Sequence, residues 1–202
     1  ENATENAVPQ AEAERRQLTV MFCDLVGSTA LSGQLDPEDL REVMQAYRET
    51  CAEMIERYDG YVAKYLGDGV LAYFGYPRAH EEDAERAARA GAAILEAMAE
   101  LNVKMAGRVE TALETRIGIA TGLVVVGDMG TGETRESMAG MGETPNIAAR
   151  LEGIAEPGVI IVSDVVQGAL RGRVDVGFAD AGSHEVKNVA EPVHAFCVLA
   201  EG

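Results

Sequence analysis

Residues 17–25 read QLTVMFCDL and residues 61–75 read YVAKYLGDGVLAYFG, and these two stretches predict the centre of a sheet. The first is an apolar, β-rich run that ends in an acid, which predicts a buried strand with Asp24 at its C-terminal end. The second contains two β-type runs around a Gly-Asp-Gly sequence, which predicts a tight hairpin with Asp68 in its turn. If the hairpin pairs with the first strand, the two carboxylates meet at one edge of a sheet.

Apolar residues at helical spacing predict three longer helices that pack on this sheet. The first begins after Asp36 as N-cap, with a proline at its first position, and runs to about Tyr58. The second spans about 81–101. The third starts with Thr144 as N-cap and a proline as its first residue, and it ends before Pro157.

The rest of the chain predicts further strands and one loop. Residues 113–127 predict two strands around a Thr121-Gly122 turn. The segment from Asp128 to Gly140 is polar and glycine-rich, which is typical of a protruding arm and equally of an ordinary flexible loop. Short strands at 159–163 and 193–199, with a small helix near 164–170, complete a mixed antiparallel α+β pattern.

The length and composition predict one globular domain. The chain has 202 residues, of which 47% are hydrophobic and 25% charged, which is enough for one sizeable core. Residues 1–14 contain four acids, no base and almost no bulky apolar side chain, so we expect a disordered acidic linker there and a domain over residues 15–202. Because the chain begins at Glu1, we expect regulatory domains of a longer protein outside this fragment.

The charge and the cysteines limit the functional classes. A net charge of −17 argues against nucleic acid as a partner, because proteins that bind a phosphate backbone carry a basic patch. No stretch approaches the roughly twenty apolar residues of a membrane span, so we expect no membrane contact by this domain. The three cysteines are isolated and lack metal-type pairing, which fits a soluble domain in the reducing cytoplasm.

The two acids at the predicted sheet edge are the candidates for chemistry. A lone Asp at a strand end or in a Gly-Asp-Gly turn is more often a cap or a turn residue than a ligand. Two carboxylates at one edge, however, match the needs of a hard cation such as Mg²⁺. Two such ions can clamp the attacking and leaving oxygens of an in-line displacement. An acidic protein that binds a triphosphate needs such cations between its carboxylates and the phosphates.

Three short motifs follow one another along the chain. They are FCDLVGST at residues 22–29, KYLGDG at 64–69, and NIAAR at 146–150 with Gly142-Glu143 before it. In this order they resemble the two metal motifs and the transition-state motif of the class III adenylyl and guanylyl cyclase catalytic domain. The resemblance covers about Arg15 to Leu199. It implies a ferredoxin-like (βαββαβ), palm-type antiparallel sheet with flanking helices and a protruding arm.

The resemblance implies a two-metal site for ATP. Asp24 and Asp68, with the backbone carbonyl of Leu25, would bind two Mg²⁺ or Mn²⁺ ions per active site. One ion would activate the ribose 3′-hydroxyl for in-line attack on the α-phosphorus, and the other would hold the triphosphate, so that 3′,5′-cyclic AMP and pyrophosphate form. Backbone N–H groups suit anionic oxygens. Those under the phosphates would belong to Val26, Gly27, Ser28 and Thr29.

Asn146 and Arg150 lie four positions apart, and hence on one face of the third helix. The resemblance makes Asn146 the group that orients the ribose and Arg150 the cation that stabilises charge on the α-phosphoryl group in the transition state. The alternative is a surface Asn and a surface Arg paired with Glu143 or Glu152. Lys187 looks like the family's late lysine that contacts the terminal phosphates, and its alternative is a solvated strand lysine.

The resemblance assigns base selection to Lys64 and Ala139. Lys64 matches the adenine-selecting lysine, because an ammonium group only donates hydrogen bonds and N1 of adenine accepts one, whereas N1 of guanine bears hydrogen. The second selecting position is usually Asp or Thr in the family and falls here on Ala139, whose side chain makes no hydrogen bond. Backbone or water would then read the exocyclic amine, unless the register shifts toward Ser137.

The family architecture implies a head-to-tail homodimer with two composite active sites. Asp24 and Asp68 would come from one subunit, whereas the other would contribute Lys64, Ala139, Asn146 and Arg150. The leading hypothesis is an adenylate cyclase. The alternatives are a guanylate or dual-specificity cyclase and a catalytically silent nucleotide-binding regulatory module. A polymerase-type nucleotidyltransferase fits less well, because the acidic surface offers no path for a template.

Overall fold

The computed structural model describes residues 14–126, 128–129, 136–137 and 142–200. The strands are β1 (Glu14–Leu25), β2 (Tyr61–Leu66), β3 (Gly69–Phe74), β4 (Thr115–Val126), β5 (Asp128–Met129), β6 (Glu136–Ser137), β7 (Ile160–Ser163), β8 (Val176–His184) and β9 (Val193–Ala200). The helices are α1 (Ser28–Gln34), α2 (Pro37–Arg57), α3 (Asp83–Met105), α4 (Glu143–Ile154) and α5 (Asp164–Leu170). None of these helices combines the length and the apolar character needed to cross a membrane.

Seven strands form one sheet in the order β2-β3-β1-β4-β7-β9-β8. Neighbours in it are antiparallel except for β4 and β7, which run parallel. The first four strands, with α2 and α3 as the connecting helices, have the βαββαβ order of a ferredoxin-like unit. The α+β fold class predicted from the sequence is therefore confirmed.

Strand β1 lies at the centre of this unit and is covered on both faces. Successive side chains of a strand point to opposite faces, and those of β1 enter two different hydrophobic cores. Met21 and Cys23 pack in the core under α2 and α3, whereas Leu18 and Val20 pack in the core under α4. A strand buried on both faces is apolar throughout, which is why this run was recognisable in the sequence.

Helix α2 begins where the sequence predicts. The side chain of Asp36 accepts hydrogen bonds from the backbone N–H groups of Glu38 and Asp39 at 3.0 and 2.9 Å, and Pro37 occupies the first helical position. The inward face of the helix places Tyr47 and Cys51, both fully buried, behind the end of β1. The N-cap therefore fixes the register of a core element that supports the candidate site.

The predicted turn at Thr121-Gly122 is wrong, because β4 is one continuous strand. It pairs with β1 along its whole length, from Thr115 opposite Leu25 to Val126 opposite Glu14. Glycine is needed at position 122 because of close packing and not because of a turn. A Cβ at that position would lie 2.5 Å from the Thr144 hydroxyl oxygen.

The predicted capping role of Thr144 is also wrong. Helix α4 begins at Glu143 with Gly142 as N-cap, and Thr144 lies within its first turn. Its side chain is buried and donates a hydrogen bond to the Leu123 carbonyl oxygen at 3.0 Å. Thr144 thus fastens the start of α4 to β4, which no local pattern indicates.

The remaining boundaries differ by small amounts or add elements. Strand β1 already includes Glu14, which the sequence assigns to the linker, and α3 extends to Met105. The short elements α1 and β8 were not predicted. Of the predicted arm, the pair β5–β6 is present as an antiparallel two-stranded ladder, and its other residues, including Ala139, lie outside the described residues.

Gly118 allows α4 to pack closely on β4, and this contact can be tested. A Cβ at Gly118 would overlap the Ala148 carbonyl oxygen and the Glu152 nitrogen, whereas a Cβ at Gly153 meets nothing within 4 Å. Gly118→Ala should therefore lower the free energy of unfolding by about 2 kcal/mol or more. The control Gly153→Ala should raise it by about 0.5–1 kcal/mol. Urea denaturation measures both, and equal effects would contradict the contact.

Candidate active site

Asp24 and Asp68 lie side by side at one end of the sheet. Asp24 is the penultimate residue of β1 and is opposite Gly69 in the β1–β3 register. Asp68 occupies the turn between β2 and β3 and accepts a hydrogen bond from the hydroxyl of Ser28, the first residue of α1. The strand, the hairpin and the short helix that follows β1 therefore converge on this carboxylate pair.

The pair is electrostatically unfavourable without a cation. Burial raises the pKa of Asp24, and the adjacent Asp68 carboxyl raises it further. The Arg116 guanidinium acts in the opposite direction. A bound divalent cation would favour the ionised form of Asp24.

The oxygen atoms at this edge fit a hard metal ion. Asp24 Oδ1 is buried and has no hydrogen-bond partner among the described residues. A buried polar atom without a partner costs free energy unless a ligand binds to it. Mg²⁺ is typically bound by one or two carboxylates together with water and substrate phosphates. Asp24 and Asp68 provide such a pair, with the Leu25 carbonyl next in the chain. No group of three or more His, Cys, Asp or Glu side chains suited to a metal occurs within the described residues.

Arg116 and Glu152 join this cluster, although no pattern in the sequence assigns either of them to it. Arg116 lies on β4 opposite Asp24. Its terminal nitrogen is 3.3 Å from Asp24 Oδ2, and its Nε is 2.6 Å from Glu152 Oε1. The available signal was an arginine in an apolar strand, but only the β1–β4 register shows that it faces an acid.

Glu152 is the third carboxylate of the cluster. Burial, followed by the negative charge of Asp24, raises its pKa to about 7, although the Arg116 guanidinium opposes this shift. Glu152 lies on α4, two residues after Arg150. Asp24 and Glu152 therefore share the Arg116 guanidinium, and Asp68 lies beside Asp24, so the acids of this cluster outnumber its single guanidinium.

Two further contacts hold the carboxylate pair in place. The Thr115 hydroxyl donates to the backbone carbonyl of Asp24 at 2.7 Å and lies 3.0 Å from the Cys23 sulfur in the core. Arg48 of α2 donates to the carbonyl of Gly67 in the β2–β3 turn. Its guanidinium carbon lies 5.2 Å from the ring centroid of Tyr65. The end of β1 and the β2–β3 turn are thus each held in place by a side chain from a neighbouring element.

The other predicted site residues do not join this cluster in the single chain. Asn146 and Arg150 are exposed on α4, Lys64 is exposed on β2, and Lys187 is exposed in the loop between β8 and β9 rather than on a strand. No hydrogen bond or ion pair links any of these four to Asp24 or Asp68 within the described part of the chain. The alternative that pairs Arg150 with Glu152 fails, because Glu152 pairs with Arg116.

The chain is similar in sequence to a known protein family. Residues 11–200 match the family described as the adenylate and guanylate cyclase catalytic domain. An adenylate cyclase of Streptomyces coelicolor is 34% identical over 149 residues, which cover 73% of this chain and 32% of that protein. Adenylate cyclase 1 of Rhizobium meliloti is 34% identical over 142 residues, which cover 70% of this chain and 21% of that protein. The chain therefore spans a third or less of the length of these two curated relatives.

Solved structures show the same fold. The adenylyl cyclase CyaB from P. aeruginosa superposes with a TM-score of 0.87 at 30% identity, covering 95% of this chain and 97% of that one. The guanylyl cyclase Cya2 superposes with a TM-score of 0.85 at 32% identity, covering 94% of this chain and 95% of that one. An adenylyl cyclase and a guanylyl cyclase are thus both similar to this chain.

The raised pKa of Glu152 predicts how stability depends on pH when a chelator keeps the protein free of metal. Its pKa is about 7 in the folded chain and 4.5 ordinarily, so the folded state binds the extra proton between these values. The free energy of unfolding should therefore fall as the pH rises from about 4.5 to 7. Glu152→Gln removes this titration and should flatten the curve.

The measurement is urea denaturation across that pH range. Glu156→Gln is the matched control, because Glu156 is exposed just after the same helix. It should keep the wild-type slope. A Glu152→Gln curve as steep as that of the wild type would contradict the assignment.

Proposed function

Because the chain belongs to the family of adenylate and guanylate cyclase catalytic domains, we propose that it converts ATP into 3′,5′-cyclic AMP and pyrophosphate. The observation that carries this proposal is that Asp24 Oδ1, beside Asp68, is buried and has no hydrogen-bond partner in the described part of the chain. The chain has a net charge of −17 and would repel a triphosphate. Cations bound at this sheet edge would allow the triphosphate to bind.

The carboxylate pair would act on the nucleotide through bound cations. Asp24 and Asp68, with the Leu25 carbonyl, would hold two Mg²⁺ or Mn²⁺ ions. Such ions lower the pKa of a bound hydroxyl and neutralise phosphate charge. The ribose 3′-oxygen would then form a bond to the α-phosphorus while the bond to the bridging oxygen of the β-phosphate breaks. The hydroxyl proton leaves to solvent, and pyrophosphate is the leaving group.

The phosphates would meet the backbone around α1 and two cationic side chains. Val26, Gly27, Ser28 and Thr29 connect β1 to α1 and begin that helix, next to Asp68. Arg116 lies at the carboxylate pair, where the triphosphate would enter. Lys187 is the proposed contact of the terminal phosphates. A guanidinium suits phosphate oxygens because it offers several N–H donors in one plane.

The exposed residues of α4 and β2 support a composite site in a homodimer. Asn146 and Arg150 face away from the carboxylate cluster of their own chain, because the inner face of α4 carries Ala148 and Leu151. A second, head-to-tail copy would bring them to the first copy's metal pair, together with Lys64 and Ala139. Arg150 would then stabilise the charge that develops on the α-phosphoryl group.

Guanylate or dual-specificity cyclase activity is the second candidate. It is favoured by the similarity to the guanylyl cyclase Cya2 at 32% identity, and by Ala139, which offers no side-chain hydrogen bond to a base. Lys64 favours adenine, since its ammonium group can donate to N1 of adenine but not to N1 of guanine. A nucleotide-binding regulatory module without turnover would have no use for Arg150. We also propose that regulatory domains lie elsewhere in the full-length protein.

Mixing two inactive variants tests the composite site. Asp24→Ala and Arg150→Ala should each reduce cyclic AMP formation by about 100-fold or more. An equal mixture should recover about a quarter of wild-type activity, because half of randomly assorted dimers are mixed and each has one intact site. The assay measures cyclic AMP with Mg²⁺ and with Mn²⁺ after subunit exchange. No recovery, despite exchange, would argue against sites shared between subunits.

A competition assay with ATP and GTP tests base selection. We expect the wild type to prefer ATP, and Lys64→Glu should shift the ratio of the two kcat/KM values toward GTP by about tenfold or more, because a carboxylate accepts from N1–H of guanine. Lys104→Glu is the control, since Lys104 is exposed on α3 and makes the same change in charge. An unchanged ratio in Lys64→Glu would remove Lys64 from base recognition.

A further inference from the structure

The guanidinium of Arg116 is divided between two acids, and its nearer partner is not the candidate metal ligand. Nε lies 2.6 Å from Glu152 Oε1, whereas the terminal nitrogen lies 3.3 Å from Asp24 Oδ2. The Glu152 side chain is 13% exposed and that of Asp24 is 21% exposed. Both contacts are therefore partly shielded from water. Ion pairs are stronger in such a shielded position than at an open surface.

The position of Glu152 is set by rigid backbone contacts. Its nitrogen and the Ala148 carbonyl lie so close to Gly118 that a side chain there would overlap them. Gly118 is two residues from Arg116 on β4, on the same face of the strand. Thr144 fastens the other end of α4 through the Leu123 carbonyl. Glu152 is thus held on a fixed helix beside Arg116.

An arginine without this second partner would bind Asp24 differently. Guanidinium and carboxylate groups prefer two parallel hydrogen bonds that use both carboxylate oxygens. In the structure Arg116 reaches only Oδ2 of Asp24, and Oδ1 remains buried without a partner among the described residues. Because Glu152 Oε1 forms an ion pair with Nε, Arg116 cannot offer Nε together with its terminal nitrogen to Asp24 in the side-on arrangement.

We propose that Glu152 is a positioning residue that keeps Arg116 from closing on Asp24, so that Asp24 Oδ1 stays available to a divalent cation. This inference rests on the proposed function, because it takes Asp24 and Asp68 as the metal pair. Glu152 acts through Arg116 and does not itself bind the ion. Its effect on metal affinity therefore depends on the presence of Arg116.

A direct electrostatic role of Glu152 makes a different prediction. A negative charge near the site attracts a cation whether or not Arg116 is present, and it does so more strongly once the neighbouring positive charge is gone. A positioning role disappears with Arg116, because no guanidinium is left to compete for Asp24. A double-mutant cycle on the two residues separates these cases.

The cycle measures Mn²⁺ affinity from the electron paramagnetic resonance signal of free Mn²⁺, without nucleotide, at about pH 8.5 where carboxylates are ionised. The proteins are the wild type, Glu152→Gln, Arg116→Gln and the double variant. We expect Glu152→Gln to weaken Mn²⁺ binding about tenfold. In the Arg116→Gln background the same substitution should have a clearly smaller effect. An equal or larger effect there, or no effect in the wild-type background, would overturn the inference.

Two controls keep the outcomes distinct. Glu156→Gln should bind Mn²⁺ like the wild type, since Glu156 is exposed beyond the end of α4. Asp24→Asn should lose the site, and if it binds Mn²⁺ as well as the wild type, the metal pair and the proposed function fail together, independently of Glu152. Circular dichroism verifies folding, and Glu152→Leu replaces Glu152→Gln in the cycle should the latter not fold.

Discussion

The antiparallel pairing of β1 with β3 on one side and β4 on the other determines the geometry of the site. This register places Gly69 and Arg116 on either side of Asp24, and the β2–β3 turn then brings Asp68 next to it. Because β1 is buried on both faces, a shift by one residue would exchange its two cores and turn Asp24 to the opposite face. The two hydrophobic layers therefore hold the carboxylates in position.

The site concentrates like charges in the folded chain. Asp24 lies beside Asp68 and shares one guanidinium with Glu152. Burial, and then the neighbouring acids, raise the pKa values of Asp24 and Glu152. Such an arrangement stores unfavourable electrostatic energy that a bound cation relieves. A core cluster that served stability alone would pair its charges or replace them with apolar side chains. The excess of acid is therefore better explained by a cationic ligand than by structure.

Helix α4 connects two chemical environments. Its inner face carries Glu152 to Arg116 in the same chain, whereas Asn146 and Arg150 are exposed on the outside. In the proposed homodimer the same helix would serve the metal half of one site and the transition-state half of the other. The close contact at Gly118 would then set the geometry of both sites, because α4 cannot move away from β4 without disturbing either.

Local patterns in the sequence encode several parts of this protein. The apolar run of β1, the Gly-Asp-Gly turn and the Asp36 cap each specify their own conformation. The first two predict that Asp24 and Asp68 meet at one sheet edge, provided that the hairpin pairs with β1. Other features are visible only in the folded chain: β4 is continuous, Thr144 is buried rather than a cap, and Arg116 and Glu152 lie at the site. These features depend on strand register and on the contact of a helix with a sheet. Such contacts join residues that are distant in the chain, so no local pattern in the sequence records them.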